Sequence, residues 1–128
     1  MLNGIQHVDN PKKLYGDKKL PLHLIPPAAS AFIALGLRDG AQKYGPWNWR
    51  DQPVEVMTYV GALRRHIDAW VDGEDDAQDS GLPHLAHAIA GLSILIDAIA
   101  SGCGIDNRPP EGGGPDVLKK YELCNKPD

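Results

Sequence analysis

The chain has 128 residues, 42% hydrophobic and 23% charged, a length and balance that fit one folded domain and exclude a wholly disordered chain. Its formal net charge of −4, with no stripe of Lys and Arg, argues against nucleic acid as the partner, because phosphate-backbone binding is driven by clustered basic side chains. A small phosphorylated ligand remains compatible, above all if a cation bridges it.

In chain order, the opening MLNGIQHVDNPKKLYGDKK has no apolar core, so no secretory signal is expected and the cytoplasm is the expected compartment. Residues 1–25 are Lys-rich with scattered Pro and no periodicity, and read as an arm or loop. Three helices are predicted over residues 28–102, each with a proline near its start, where a missing N–H costs nothing because the first turn has no intrahelical acceptor. The first is AASAFIALGLRDGAQKY after Pro26 and Pro27, closed by Gly45-Pro46. The second is VEVMTYVGALRRHIDAWVDG, in which Val56, Val60, Leu63, Ile67 and Trp70 recur every three or four residues and form one apolar stripe. The third begins around Pro83, with Asp79 or Ser80 as its cap, and runs HLAHAIAGLSILIDAIASG. Residues 103–128 read as coil, with VLKKYELC as a short terminal helix. His87 and Asp97 interrupt the greasiest run, which is too short to span a bilayer, so no membrane partner is expected.

The expected fold class is therefore all-α: one domain, residues 1–128, built as a small bundle of three main helices plus a short C-terminal one. The third helix is apolar on nearly every face beyond its first turn and needs neighbours all round. Two amphipathic partners hardly supply them, so a homo-oligomer is expected. Cys103 and Cys124 form no CxxC pair and read as reduced thiols.

The stretch GEDDAQDSGLPHLAHAI, residues 73–89, holds four carboxylates and two histidines. His84 and His87, at i and i+3, share a side of the third helix. Glu74 and Asp75 are expected to close the second helix, and His66 lies two turns before Glu74 on the same face. A tight helical hairpin would bring His66, Glu74, Asp79, His84 and His87 together as a metal set, with Asp75 assisting or acting as general base. Imidazole with carboxylate suits Mn, Fe, Co, Ni or Zn, while Mg prefers oxygen alone. Taken alone, GEDD is as readily a solvated charge run, and the histidine pair a helix start without ligands.

A second cluster, AQKYGPWNWR, residues 41–50, offers Lys43, Asn48 and Arg50 for hydrogen bonds and Tyr44, Trp47 and Trp49 as stacking faces. Tryptophans that plug the loop onto the core are the competing reading. Of Arg64 and Arg65, at most one should face His66. Ser80 and Ser93 have no triad-like setting, and there is no GxxxxGK[ST], so metal-activated water is favoured over a nucleophilic side chain.

GAQKYGPWNW, then ALRRHIDAWVDGEDDAQDSGLPHLAHAI, then GIDNRPP resemble the phage and prophage family described as dATP/dGTP diphosphohydrolase N-terminal-domain proteins, over residues 28–110. The family pattern falls on Gly40, Ala41, Lys43 to Gly45, Asn48, Trp49, Arg65, His66, Ala69, Trp70, Gly73, Glu74, Asp79 to Gly81, His84 and His87. The resemblance implies an all-α fold and removal of pyrophosphate from purine deoxynucleoside triphosphates with a divalent metal. It is loosely similar to the MazG-type all-α pyrophosphohydrolases, whose E-x-x-E and E-x-x-D helices are missing here; His84-x-x-His87 stands where E-x-x-D is expected.

The expected function is metal-dependent hydrolysis of a purine (deoxy)nucleoside triphosphate to monophosphate and pyrophosphate. Glu74 and Asp75 would be catalytic, and Lys43, Tyr44, Asn48, Trp49 and Arg65 would hold the nucleotide. The alternative is a non-catalytic protein that sequesters a nucleotide or nucleotide signal through the same loop. A purely structural helical module is a third reading.

Overall fold

The computed structural model describes residues 10–123. The elements follow one another as α1 (Pro11–Gly16), a 3₁₀ turn (Leu22–Leu24), α2 (Pro27–Tyr44), α3 (Asn48–Asp51), β1 (Val54–Glu55), α4 (Val56–Val71), α5 (His84–Ala100), β2 (Gly104–Ile105) and α6 (Gly114–Tyr121). Among the described residues the fold is all-α, with one two-stranded parallel pairing, Val54 with Gly104 and Glu55 with Ile105. A pairing that short has no alternation to read in the sequence. With the Met57 amide donating to Asn107 Oδ1 at 2.9 Å, it ties the chain leaving α5 to the start of α4.

The apolar third helix is α5, and it is the common partner of α2 and α4. Ala86, Ala88, Ala90, Leu95 and Ala98 are its buried residues together with His84. Small side chains bring the flanking helices close. Gly36 of α2 meets α5 so tightly that a Cβ there would lie 2.5 Å from Ala90 Cβ and 2.6 Å from the Ala86 carbonyl oxygen. The result is a layer of three helices with α5 in the middle, so α5 keeps two faces that neither neighbour covers.

The connection from α4 to α5 is not a tight hairpin. α4 ends at Val71 with Asp72 as its C-cap, so Glu74 and Asp75 lie beyond the helix they were expected to close. The chain reverses at Gly73 (φ +100), a conformation that disfavours any side chain. It is then pinned by an antiparallel bridge between Asp76 and Pro83, with the Ala77 amide donating to the Leu82 carbonyl at 2.8 Å and Ala77 buried. Pro83, not Asp79 or Ser80, is the N-cap of α5.

Two boundaries elsewhere also differ from expectation. The arm over 1–25 contains a six-residue helix, α1, capped by Asn10 Oδ1 on the Lys12 amide at 2.8 Å; residues 1–9 lie outside the described ones. The terminal helix starts earlier, at Gly114; Cys124 lies outside the described residues. No described helix is long and apolar enough to cross a membrane.

Candidate active site

The ends of α4 and α5 and the connection between them gather the histidines. His84, buried on the first turn of α5, sits between two partners: its Nε2 lies 2.6 Å from Glu74 Oε1 and its Nδ1 lies 2.8 Å from His66 Nδ1. The carboxylate accepts, so His84 Nε2 carries a hydrogen. When His84 is neutral its Nδ1 accepts from His66 Nδ1–H, which leaves the outer nitrogen of His66, Nε2, with a free lone pair. One proton can therefore be stored or passed along Glu74, His84 and His66. His87 stacks on His66 with ring centroids 4.7 Å apart and planes 16° apart. Its Nε2 is 2.7 Å from Ser80 Oγ.

The electrostatics follow the contacts. Burial, then the neighbouring His87 and His84, holds the His66 imidazole below its ordinary value. The hydrogen bond from His84, assisted by one from Gln78, holds the Glu74 carboxyl below the usual carboxylate range.

Of the expected metal set, His66, Glu74, His84 and His87 come together, but both nitrogens of His84 are taken by Glu74 and His66, and His87 Nε2 by Ser80. Asp79 stands nearby, exposed, with its Oδ1 accepting from the Ser80 amide at 2.9 Å. Among the described residues no three His, Cys, Asp or Glu side chains form a group able to hold a metal ion. As arranged, these residues do not fit a protein-built metal cage. Asp75 does not join them: its side chain is exposed, and its backbone carbonyl accepts from the His84 amide at 2.9 Å. Arg65 is also exposed.

Beside the histidines opens a cleft of about 880 Å³. Its walls are α2 and α4, and its floor is the face of α5 from His87 to Asp97; His66, His87, Asp79, Lys43, Tyr44 and Asn48 all line it. Ten residues of helix separate the two ends of that floor by about 15 Å. Lys43 is paired with Asp39 at 3.0 Å, one turn before it on α2.

The far end of the cleft reassigns the tryptophans. Trp49 is 7% exposed, and its indole N–H donates to Asp97 Oδ2 at 2.7 Å. It anchors the loop to α5, and although it lines the cleft it is mostly buried there. Arg50 binds the same carboxylate through two nitrogens, at 2.9 and 2.8 Å. Arg50 first, then Trp49, pulls the Asp97 carboxyl down to about 2. Trp47 is the exposed ring, 56% accessible, lining the cleft with the Arg50 guanidinium 4.4 Å from its centroid. Its backbone is left-handed (φ 60), a conformation that costs a bulky residue about 1–3 kcal/mol. The two indoles remain neighbours, with ring centroids 5.4 Å apart and planes tilted by 44°, Trp49 on the core side and Trp47 at the rim.

Sequence reasoning missed Ser80 and Asp97 as structural partners. A signal for Asp97 existed: a lone carboxylate within an apolar helix needs a cation or a donor. Ser80 had none, because its approach to His87 depends on the bridged connection.

Residues 9–108 match the family described as dATP/dGTP diphosphohydrolase, N-terminal. A protein of Salmonella phage PMBT28 named dATP/dGTP diphosphohydrolase is 36% identical over 78 residues, which is 61% of this chain and 26% of that protein. The chain thus spans about a quarter of the length of the curated relative it matches. No solved structure matches it significantly.

Proposed function

The chain belongs to the dATP/dGTP diphosphohydrolase N-terminal family, and from that premise we propose that its cleft binds a purine deoxynucleoside triphosphate and hydrolyses it to a monophosphate and pyrophosphate. The carrying observation is the hydrogen-bonded series Glu74–His84–His66 ending on a ring that lines the cleft. Such a series orients a base and stabilises the cation formed when it takes a proton from water. The base moiety rests at the rim, against Trp47 and Tyr44 with Asn48 beside them. The phosphates run toward His66 and His87, with Lys43 offsetting their charge.

A divalent cation, Mg or Mn, enters with the nucleotide in this reading. Magnesium is commonly held by one or two carboxylates plus substrate phosphates and water rather than by an all-protein cage, and Asp79 is the expected carboxylate with access to the cleft. The cation lowers the cost of bringing a triphosphate to a protein of net charge −4.

Incubation with each of the four dNTPs and Mg or Mn, followed by separation of products, tests the reading. We expect dAMP or dGMP with pyrophosphate, and a loss of at least ~100-fold in turnover for Glu74→Gln, with KM changed only a few-fold because Glu74 acts through His84. A diphosphate product with free phosphate means the wrong bond was assigned. Tight binding without turnover selects the second reading, a protein that holds the nucleotide. What favours that reading is that His84 and His87 are already held by neighbouring side chains and only the outer nitrogen of His66 is left to act on water.

A further inference from the structure

The uncovered face of α5 opposite the cleft carries an apolar stripe. Leu85, Leu92, Ile96 and Ile99 fall within about 60° of arc, roughly on the far side of the helix from His87, Gly91 and Ile94. Their spacing of seven, four and three residues is that of a helix-pairing seam. Ile96 and Ile99 are 60% and 58% exposed, in a chain whose core contains no large side chain that is fully buried among the described residues.

The stripe has two halves of opposite shape. Around the first half of α5 lies an apolar groove of about 580 Å³, floored by Leu85, Ile89 and Leu92 and walled by Phe32 of α2 and Ile67 of α4. The described side chains that line it are all apolar. Along the second half, Ile96 and Ile99 project as a ridge. A groove followed by a ridge on one helix is complementary to itself: a two-fold axis across the middle of α5 lays the ridge of each copy into the groove of the other. A two-fold contact uses the same patch twice, and this patch meets that requirement.

Area points the same way. The chain exposes 10766 Å², against about 6,700 Å² for a compact monomer of its mass. The segments 10–28 and 106–123, exposed at every residue, account for part of the excess. A specific contact hides about 800 Å² per partner, and the Leu85–Leu92 groove with the Ile96–Ile99 ridge is the exposed apolar surface that would supply it.

We propose that a second copy of this chain covers this face, giving a homodimer in which two α5 helices pack antiparallel with the Ile96–Ile99 ridge of each seated in the Leu85–Leu92 groove of the other. The cleft with its histidines stays open on the outside of both copies.

The test uses the full chain and two variants at exposed positions that the two-fold axis sets opposite one another, Ile99→Glu and Leu85→Lys, with light scattering after size exclusion at about 50 μM. Wild type is expected at twice 13.9 kDa, and each variant at the monomer mass with its helical circular dichroism unchanged. Mixed in equal amounts, the two variants are expected to return to the dimer mass. The mixed pair has one Glu–Lys contact and one native contact, whereas each variant alone repeats the mismatch twice. A monomeric wild type overturns the proposal and hands the face to a different partner or to another part of a longer polypeptide. Variants that remain dimeric, or a mixture that remains monomeric, overturn the ridge-in-groove pairing.

Discussion

His66 is where the chemistry of the site can be read one proton at a time. Burial and two neighbouring imidazoles hold its ring below the ordinary value, so as pH falls through about 6.5 the unfolded chain takes up this proton before the folded one. Its contribution to stability is whole above pH 6.5 and declines below it, down to the ring's own lower midpoint. Histidine NMR titration should therefore give His66 a midpoint under 6.5, rising toward it in His87→Gln, which removes the larger of the two neighbouring charges. A midpoint at or above 6.5 in the native protein would contradict the buried, stacked geometry. The tryptophans divide in a comparable way. Trp47→Leu should abolish most of the fluorescence quenching caused by dGTP and weaken its binding ~10-fold, since base stacking on an aromatic ring contributes about 1–3 kcal/mol. Inorganic tripolyphosphate should cause little quenching even in the wild type. Trp49→Phe should leave binding nearly intact but lower the unfolding free energy by about 1–3 kcal/mol through the lost bond to Asp97. Equal nucleotide affinity in Trp47→Leu and wild type would remove Trp47 from the site.

At the scale of the element, the close contact of α2 with α5 rests on the missing side chain at Gly36. Gly36→Ala pushes a methyl into Ala90 and the Ala86 carbonyl, and overpacking of this kind costs about 1–3 kcal/mol. Gly40, on the same helix, has nothing within 4 Å of an added Cβ, so Gly40→Ala should stabilise by about 0.5–1 kcal/mol from helix propensity. Urea melts of the two variants should move in opposite directions, and a neutral Gly36→Ala would mean that α2 does not sit this close to α5. The helices themselves were legible from the primary sequence, because apolar spacing of three and four and prolines at their starts are local signals. So was the meeting of His66 with His84 and His87, which needs only that α4 and α5 be neighbours. What was not legible arises from contacts distant in sequence or from the course of irregular backbone. The meeting of Glu74 with His84 was expected, but its route was not: Glu74 comes from beyond the end of α4 because the chain reverses at Gly73. The same reversal leaves Asp75 outside the cluster. Trp49 bonds Asp97 while Trp47 beside it stays exposed, a difference set by the left-handed turn at Trp47, and β1 finds β2 across 50 residues with too few side chains to announce it.

At the scale of the whole molecule, a three-helix layer centred on α5 has two uncovered faces with different chemistry, one lined by imidazoles, aromatic rings and charged groups and one by apolar side chains. Each should make stability depend on a different concentration, because whatever binds the folded state and not the unfolded one raises the melting temperature by mass action. A nucleotide at 100 times its Kd adds about 2.7 kcal/mol, which for a chain of 128 residues corresponds to a rise of about 10 °C. Self-pairing should add about 2–4 °C for each tenfold increase in protein concentration. Ile96→Glu should flatten the dependence on protein concentration and leave the nucleotide shift in place, since Ile96 lies across the helix from the cleft. Scanning calorimetry of wild type and variant over a hundredfold range of protein, with and without dGTP, separates the two effects. If the variant lost both responses, the two faces of α5 would be coupled, and the cleft would depend on the dimer for its shape.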